Sequence, residues 1–284
     1  MNIFFRYVVA VMVWLVAAPS WAAMTLGAAK VETNGSGTTL SPAAYTLTTG
    51  RGLVAMILWQ QASGDTISSI TVSGESNMTL IGTPSVLATG WTSQMAYLGS
   101  VTSGGSKTIT VTFSGSISAS YGFFQELHDG SNGGIALDGF CNASNAASTD
   151  PTCNVSTATA NSAIFAVSES HDADPTVGAN YTQLSEIAFF SWEASMYDLD
   201  AGAAGTYAAN WTAASGRWTI AAAGFKAIGS SATVGCRLLQ DGTSKRLLQN
   251  GTDGRLLQGG GDCALGGGGG PTVVPVRMML GVGL

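Results

Sequence analysis

Acid–base chemistry in this chain would have to come from few side chains. The sequence of 284 residues holds two histidines. His128 stands in Glu126-Leu127-His128-Asp129, and His171 in Glu169-Ser170-His171-Asp172-Ala173-Asp174, each where a strand-like run meets a loop. A serine nucleophile, a histidine base and an acid are recognised by geometry, not by sequence order, so a triad could be drawn from these residues. No G-x-S-x-G elbow marks any one serine, however. Glycoside hydrolysis needs two facing carboxylates. Glu126, Glu169, Glu186 and Glu193 are the candidates, and none sits in a diagnostic motif. Tyr197-Asp198-Leu199-Asp200-Ala201-Gly202 supplies two aspartates with no glutamate after them. No catalytic residue is therefore assigned, and the chain reads as non-enzymatic.

Two weaker chemistries remain. Asp172 with Asp174, and Asp198 with Asp200, place carboxylates two apart on loops. Calcium takes such oxygens, but neither pair has the D-x-D-x-D-G pattern of a dedicated loop, and solvated loop acids explain both. Seven tryptophans and seven tyrosines raise carbohydrate binding, because an exposed ring can pack on a sugar's C–H face. Trp91, Tyr97, Trp192, Tyr197, Trp211 and Trp218 are the candidates, against the alternative that each is core. A zinc site is not expected, since there is no CxxC and neither histidine stands near a cysteine at ligand spacing. No cofactor other than calcium comes into question.

The bulk composition limits the class. Only 10% of residues are charged, 45% are hydrophobic and 38 are glycine. Such a mix suits many short strands joined by small-residue turns, and it is too apolar for a disordered chain. A net charge of −6 gives no long-range attraction for nucleic acid. Residues 1–22 carry one basic residue, Arg6, an apolar run from Val8 to Ala18, and small residues at Ser20 and Ala22. They read as a secretory signal peptide, so membrane contact is transient and the mature chain is extracellular. Four cysteines fit export. Three pairings exist, of which the spacing favours Cys141 with Cys153 and Cys236 with Cys263.

The elements that must position these residues are strands. Leu53–Gln60 is apolar at every position but its last, as a strand buried in a sandwich core would be. In Lys107–Phe113, Ile109, Val111 and Phe113 share one face and threonines the other. Ile67–Val72, Met78–Ile81, Gln94–Val101, Ser118–Leu127, Ser162–Ser168, Ser191–Tyr197, Gly205–Trp211 and Arg217–Ala227 are further candidates. No segment has a sustained helical period. The expectation over residues 23–228 is one antiparallel β-sandwich, a jelly roll of two sheets, with no internal repeat.

Within Lys107–Ala227, the runs KTITVTFSGS, SYGFFQELHDGSNGGIALDG, NSAIFAVSESHDADPTVGANYTQL and AGTYAANWTAASGRWTIAAAGFKA resemble a broad group of secreted bacterial and phage-associated jelly-roll domains, akin to concanavalin-like and carbohydrate-binding modules. The resemblance covers about half of the chain. Its motifs are structural, so it implies fold and not activity.

After a linker at 229–235, the composition changes. Arg-Leu-Leu-Gln occurs three times, at Arg237-Leu238-Leu239, Arg246-Leu247-Leu248 and Arg255-Leu256-Leu257, at a spacing of nine. The units resemble short RLLxDGT repeats of phage structural proteins. Asp241-Gly242 and Asn250-Gly251 are strong hairpin-turn pairs. A small meander over 236–263, closed by Cys236 and Cys263, is expected, with a Gly-rich linker and apolar tail at 264–284. The whole reads as a secreted structural or adhesive surface protein that binds a glycan or cell-surface ligand, or belongs to a virion. The alternatives are a glycan-active hydrolase and a filament subunit that self-associates through its C-terminal strand.

Overall fold

A computed structural model describes residues 23–61, 64–87, 90–148, 150–171, 174–188, 192–212, 216–228, 235–238 and 245–248. The signal peptide, Asp172, Leu239, Arg255, Leu256, Leu257, Cys263 and the tail lie outside the described residues, so the Cys236–Cys263 pairing does too. The chain divides into two units, residues 1–230 and 231–284. The described residues are all-β, with antiparallel sheets packed face to face as the composition suggests.

The first unit holds two copies of one topology. The first copy comprises β1 (Met24–Leu26), β2 (Val31–Leu40), β3 (Tyr45–Leu47), β4 (Gly52–Gln60), β5 (Ile67–Val72), β6 (Thr79–Val86), β7 (Trp91–Leu98), β8 (Gly105–Lys107) and β9 (Ile109–Asp129). The second comprises β10 (Ile135–Ser148), β11 (Thr152–Thr157), β12 (Ala163–Ser170), β13 (Thr176–Val177), β14 (Thr182–Ala188), β15 (Trp192–Asp198), β16 (Gly205–Thr212) and β17 (Gly216–Ala227). The main ladder runs β2-β9-β4-β7-β6 in the first and β10-β17-β12-β15-β14 in the second. Counted from β2 and from β10, both orders are first–eighth–third–sixth–fifth. The small ladders correspond as well: β3 pairs β8 as β11 pairs β16. β5 pairs the start of β9, where β13 pairs the end of β16. This is the eight-strand jelly-roll arrangement, and it occurs twice.

The two rolls stack back to back, and side-chain parity shows how. On β4, Leu53, Ala55, Ile57 and Trp59 face a core shared with Leu40, Ile70 and Val111. Val54, Met56 and Leu58 face the opposite way, into a core shared with Phe165, Val167, Ala223 and Phe225 of the second roll. On β12, Ile164 and Ala166 face a third core with Val155, Trp211 and Ile220. Each central strand is therefore covered on both faces, which is why GLVAMILWQ is apolar at every position but its last instead of alternating. The expected antiparallel β-sandwich is present, and among the described residues it has four layers and three cores.

Contacts across the seam exchange the two rolls. The Ser185 hydroxyl of β14 bonds Glu32 of β2, and Asn142 of β10 donates to the Thr83 carbonyl of β6. Ser93 of β7 and Thr219 of β17 share a hydrogen bond of 2.9 Å. Phe225 lies 5.8 Å from Tyr97 and 6.2 Å from Phe165, ring centre to ring centre. The Cys141–Cys153 disulfide forms, with Cα atoms 5.9 Å apart, and ties β10 to β11, so the third layer is bonded to the fourth.

In the second unit, β18 (Gly235–Leu238) and β19 (Lys245–Leu248) form an antiparallel pair. Arg237 is the register partner of Arg246, and Leu238 of Lys245. The starts of the first two repeats therefore pair antiparallel; the third lies outside the described residues.

Candidate functional site

The carboxylates sort by what holds them. Glu126 is fully buried at the end of β9. Its oxygens accept from the backbone N–H of Ala28 at 2.9 Å and Thr48 at 2.6 Å, and from Arg51 Nη1 at 2.8 Å. Two loops, β1–β2 and β3–β4, are pinned to one strand by this side chain. Glu75 holds the adjoining 102–107 segment, accepting from the N–H and hydroxyl of both Thr102 and Ser103 and from Lys107 Nζ at 2.9 Å. Burial alone would raise its carboxyl, but these donors outweigh burial and hold it near 2. Asp138 on β10 accepts from Thr159, Ser162 and Lys226. Its carboxyl is lowered for the same reason, again against burial. All three are structural clamps.

Of the four glutamates singled out above, the fold brings two together. Glu169 on β12 and Glu193 on β15 are register partners in an antiparallel pair and are both fully buried. Directly opposed residues have Cβ atoms about 5 Å apart. Both lie on the seam-facing side of their strands. Beside them Trp91 stacks on Tyr121 at 6.0 Å, and His171 Nδ1 is 3.7 Å from Glu169 Oε1. Burial, and then the charge of Glu193, push the Tyr121 phenol up to about 12. Glu186 is elsewhere, hydrogen-bonded to Asp174. Burial raises its carboxyl, Gln183 donates to it and opposes the rise, and Asp174 adds to it. His128 is buried, and its Nδ1 meets the Asp129 carbonyl.

The calcium candidates have other partners. Asp198 Oδ1 accepts from Asp200 N–H, and Asp200 Oδ1 from Gly202 N–H, both at 3.0 Å, which makes two successive loop caps. Burial, the main cause, and the charge of Asp200 raise the Asp198 carboxyl. Among the described residues no three His, Cys, Asp or Glu side chains converge.

The aromatic candidates do not form a platform. Trp91 is 2% exposed, Trp211 0% and Trp218 5%. Tyr197 stacks on Phe165 at 5.9 Å, and Tyr97 packs on Phe225. These rings fill or flank the second and third cores, because they fall on the inward parity of their strands. Trp91, Trp211 and Trp218 are core residues, while Tyr97 and Tyr197 are half-buried beside the second core. The Trp192 side chain lies outside the described ones.

A different feature opens to solvent. β2 and β9 run in register at Asn34↔Tyr121 and Gly35↔Ser120, and resume at Gly37↔Ile117. Ser36 thus faces two residues, Ser118 and Ala119, and the ladder parts at a bulge. Gly37, at φ +102°, supplies the backbone turn there. The gap is a cleft of about 360 Å³ lined by Asn34, Gly35, Ser36 and Ser118 to Tyr121. Its floor is fixed: Ser120 is 1% exposed and donates to the Gly35 carbonyl at 3.2 Å. None of these residues except Tyr121 is chemically conspicuous, and none was singled out by type. The signal that could have found them is Asn-Gly-Ser-Gly inside a strand, where glycines mark a bulge. Compared with known proteins, the chain matches no family model, no curated protein and no solved structure.

Proposed function

We propose that this chain is a secreted, non-enzymatic structural or adhesive surface protein, in which the double jelly roll is a rigid carrier and residues 236–263 contact the partner. The observation that carries the reading is the core shared by the two rolls through Met56, Phe123, Phe165 and Phe225. A continuous packed seam resists relative motion of its halves. Buried carboxylates at Glu126, Glu75 and Asp138 are used to pin loops, which adds to the same rigidity. The Cys141–Cys153 bridge supports an oxidising, extracellular setting. Light scattering on the mature chain with and without residues 236–263 tests the assembly part. Multimers that become monomers on deletion support it; an unchanged mass with unchanged surface attachment overturns it.

One feature favours a glycan-active hydrolase as a second reading. Glu169 and Glu193 face each other beside aromatic rings, as paired carboxylates of a glycosidase do. Both are fully buried, so a substrate would reach them only if the adjoining loops opened. Sugar release from polysaccharides by the mature chain, abolished in both Glu169→Gln and Glu193→Gln, would establish that reading and displace the first.

A further inference from the structure

We propose that the bulge cleft between β2 and β9 binds a neutral, polyhydroxylated ligand, a saccharide unit. The proposal deepens the adhesive reading and rests on it. The lining decides the ligand class. Asn34 brings an amide, Ser36 and Ser118 bring hydroxyls, and none of the lining side chains is ionised at neutral pH. An anion would find no cation there, and a metal ion no carboxylate. A sugar offers hydroxyls that both donate and accept, which is what such a surface pairs with.

The bulge supplies a second set of partners. Where Ser36 faces both Ser118 and Ala119, the ladder skips a residue, and the extra residue of a bulge is left unpaired by its partner strand. The Ser118 hydroxyl donates to Gln60 Oε1 at 3.0 Å, so its oxygen keeps acceptor capacity. The volume, about 360 Å³, falls in the range of small-molecule sites. The base does not have to be organised on binding, because Tyr121 is already stacked on Trp91 and Ser120 is already bonded to Gly35. Asn34 and Ser36 are exposed, so a ligand reaches them directly.

The test uses the mature chain and saturation-transfer NMR with glucose, galactose, mannose, N-acetylglucosamine and, as an anionic control, glucuronate. Ser36→Trp fills the cleft from an exposed position, and Asn34→Ala removes the amide. Circular dichroism confirms that both variants fold. The expected result is transfer to at least one neutral sugar, abolished in Ser36→Trp and weakened in Asn34→Ala. No transfer to any neutral sugar, or equal transfer to Ser36→Trp, overturns the proposal. Retention on cell surfaces, measured in parallel, separates the two levels. If the parent chain and Ser36→Trp are retained equally and no sugar is bound, the cleft proposal falls and the adhesive reading stands. If the parent chain is not retained at all, the adhesive reading itself falls.

Discussion

Replacing Phe165 with alanine probes the seam most sharply. Its ring is fully buried, stacked on Tyr197 at 5.9 Å and edge-on to Phe225 at 6.2 Å. Phe225 in turn touches Tyr97 of the first roll. Truncation removes the ring's transfer free energy and leaves a void in a core held from two sides, which costs about 3–5 kcal/mol. In a unit of this size about 1 kcal/mol lowers Tm by roughly 2–4 °C, so the drop should be on the order of 10 °C. The control is Phe140→Ala. Phe140 is 46% exposed and lies on the β6–β10 edge of the same seam, so its loss should cost under about 1 kcal/mol. Urea and thermal unfolding of the mature chain, followed by both tryptophan fluorescence and far-UV dichroism, give the readout. Because both rolls bury residues in one core, residues 24–227 should unfold in a single transition that moves as a whole. Two transitions, of which Phe165→Ala shifts only one, would refute the shared core. A loss below about 1 kcal/mol would refute the packing argument.

Three further outcomes follow from the clamps, the disulfide and the buried phenols. The folded Glu75 carboxyl lies near 2, below its ordinary value, so its contribution is present above the ordinary carboxylate range and is lost as pH falls toward 2. Stability of Glu75→Gln should be lower at neutral pH and fall less between pH 5 and pH 2, in urea titrations at stepped pH, by the linkage relation. Replacing Cys141 and Cys153 with serine opens a loop of sequence separation 12 and should cost roughly 3 kcal/mol, read from the urea midpoint. Tyr45, Tyr121 and Tyr181 are pushed to about 12, chiefly by burial. The neutral phenol is the form the fold favours, so their contribution is full below the ordinary value near 10 and is lost as pH rises toward 12. Spectrophotometric titration should show these phenolates appearing only with alkaline unfolding; early, reversible ionisation of Tyr45, Tyr121 and Tyr181 in the native state would contradict it.

How much of this was legible depended on where each strand's stabilisation comes from. LVAMILWQ announced β4, and NSAIFAVSES announced β12, because strands covered on both faces must be apolar throughout. Alternation announced the Lys107–Phe113 segment, and aromatic content the Ser118–Leu127 segment. The sequence shows two runs there, whereas Ile109–Asp129 is one strand, β9, continuous through Ser114-Gly115-Ser116, and Lys107 ends β8. The edge strands β2, β10 and β14 were not legible. VETNGSGTTL and IALDGFCNASNAAS carry little apolar alternation, and main-chain bonds to β9 and β17 hold them. The duplication was hidden for a related reason. The rolls share strand order and pairing, not residues: KTITVTF in one stands where GTYAANWT does in the other, and the corner crossed by continuous β9 separates β16 from β17. The paired Glu169 and Glu193 were candidates by residue type, but only the β12–β15 register made them neighbours. Ring burial could not be read from aromatic content, because a seam on the far side of each main sheet turns an outward parity inward.

Retention on the surface of producing cells tests the functional account most directly. The mature chain and the chain lacking residues 236–263 would be expressed side by side, and the cell-bound and released fractions quantified. The account predicts that the mature chain stays bound, and that the shortened chain, with its dichroism spectrum and Tm unchanged, appears in the medium. Equal retention of the two would contradict it.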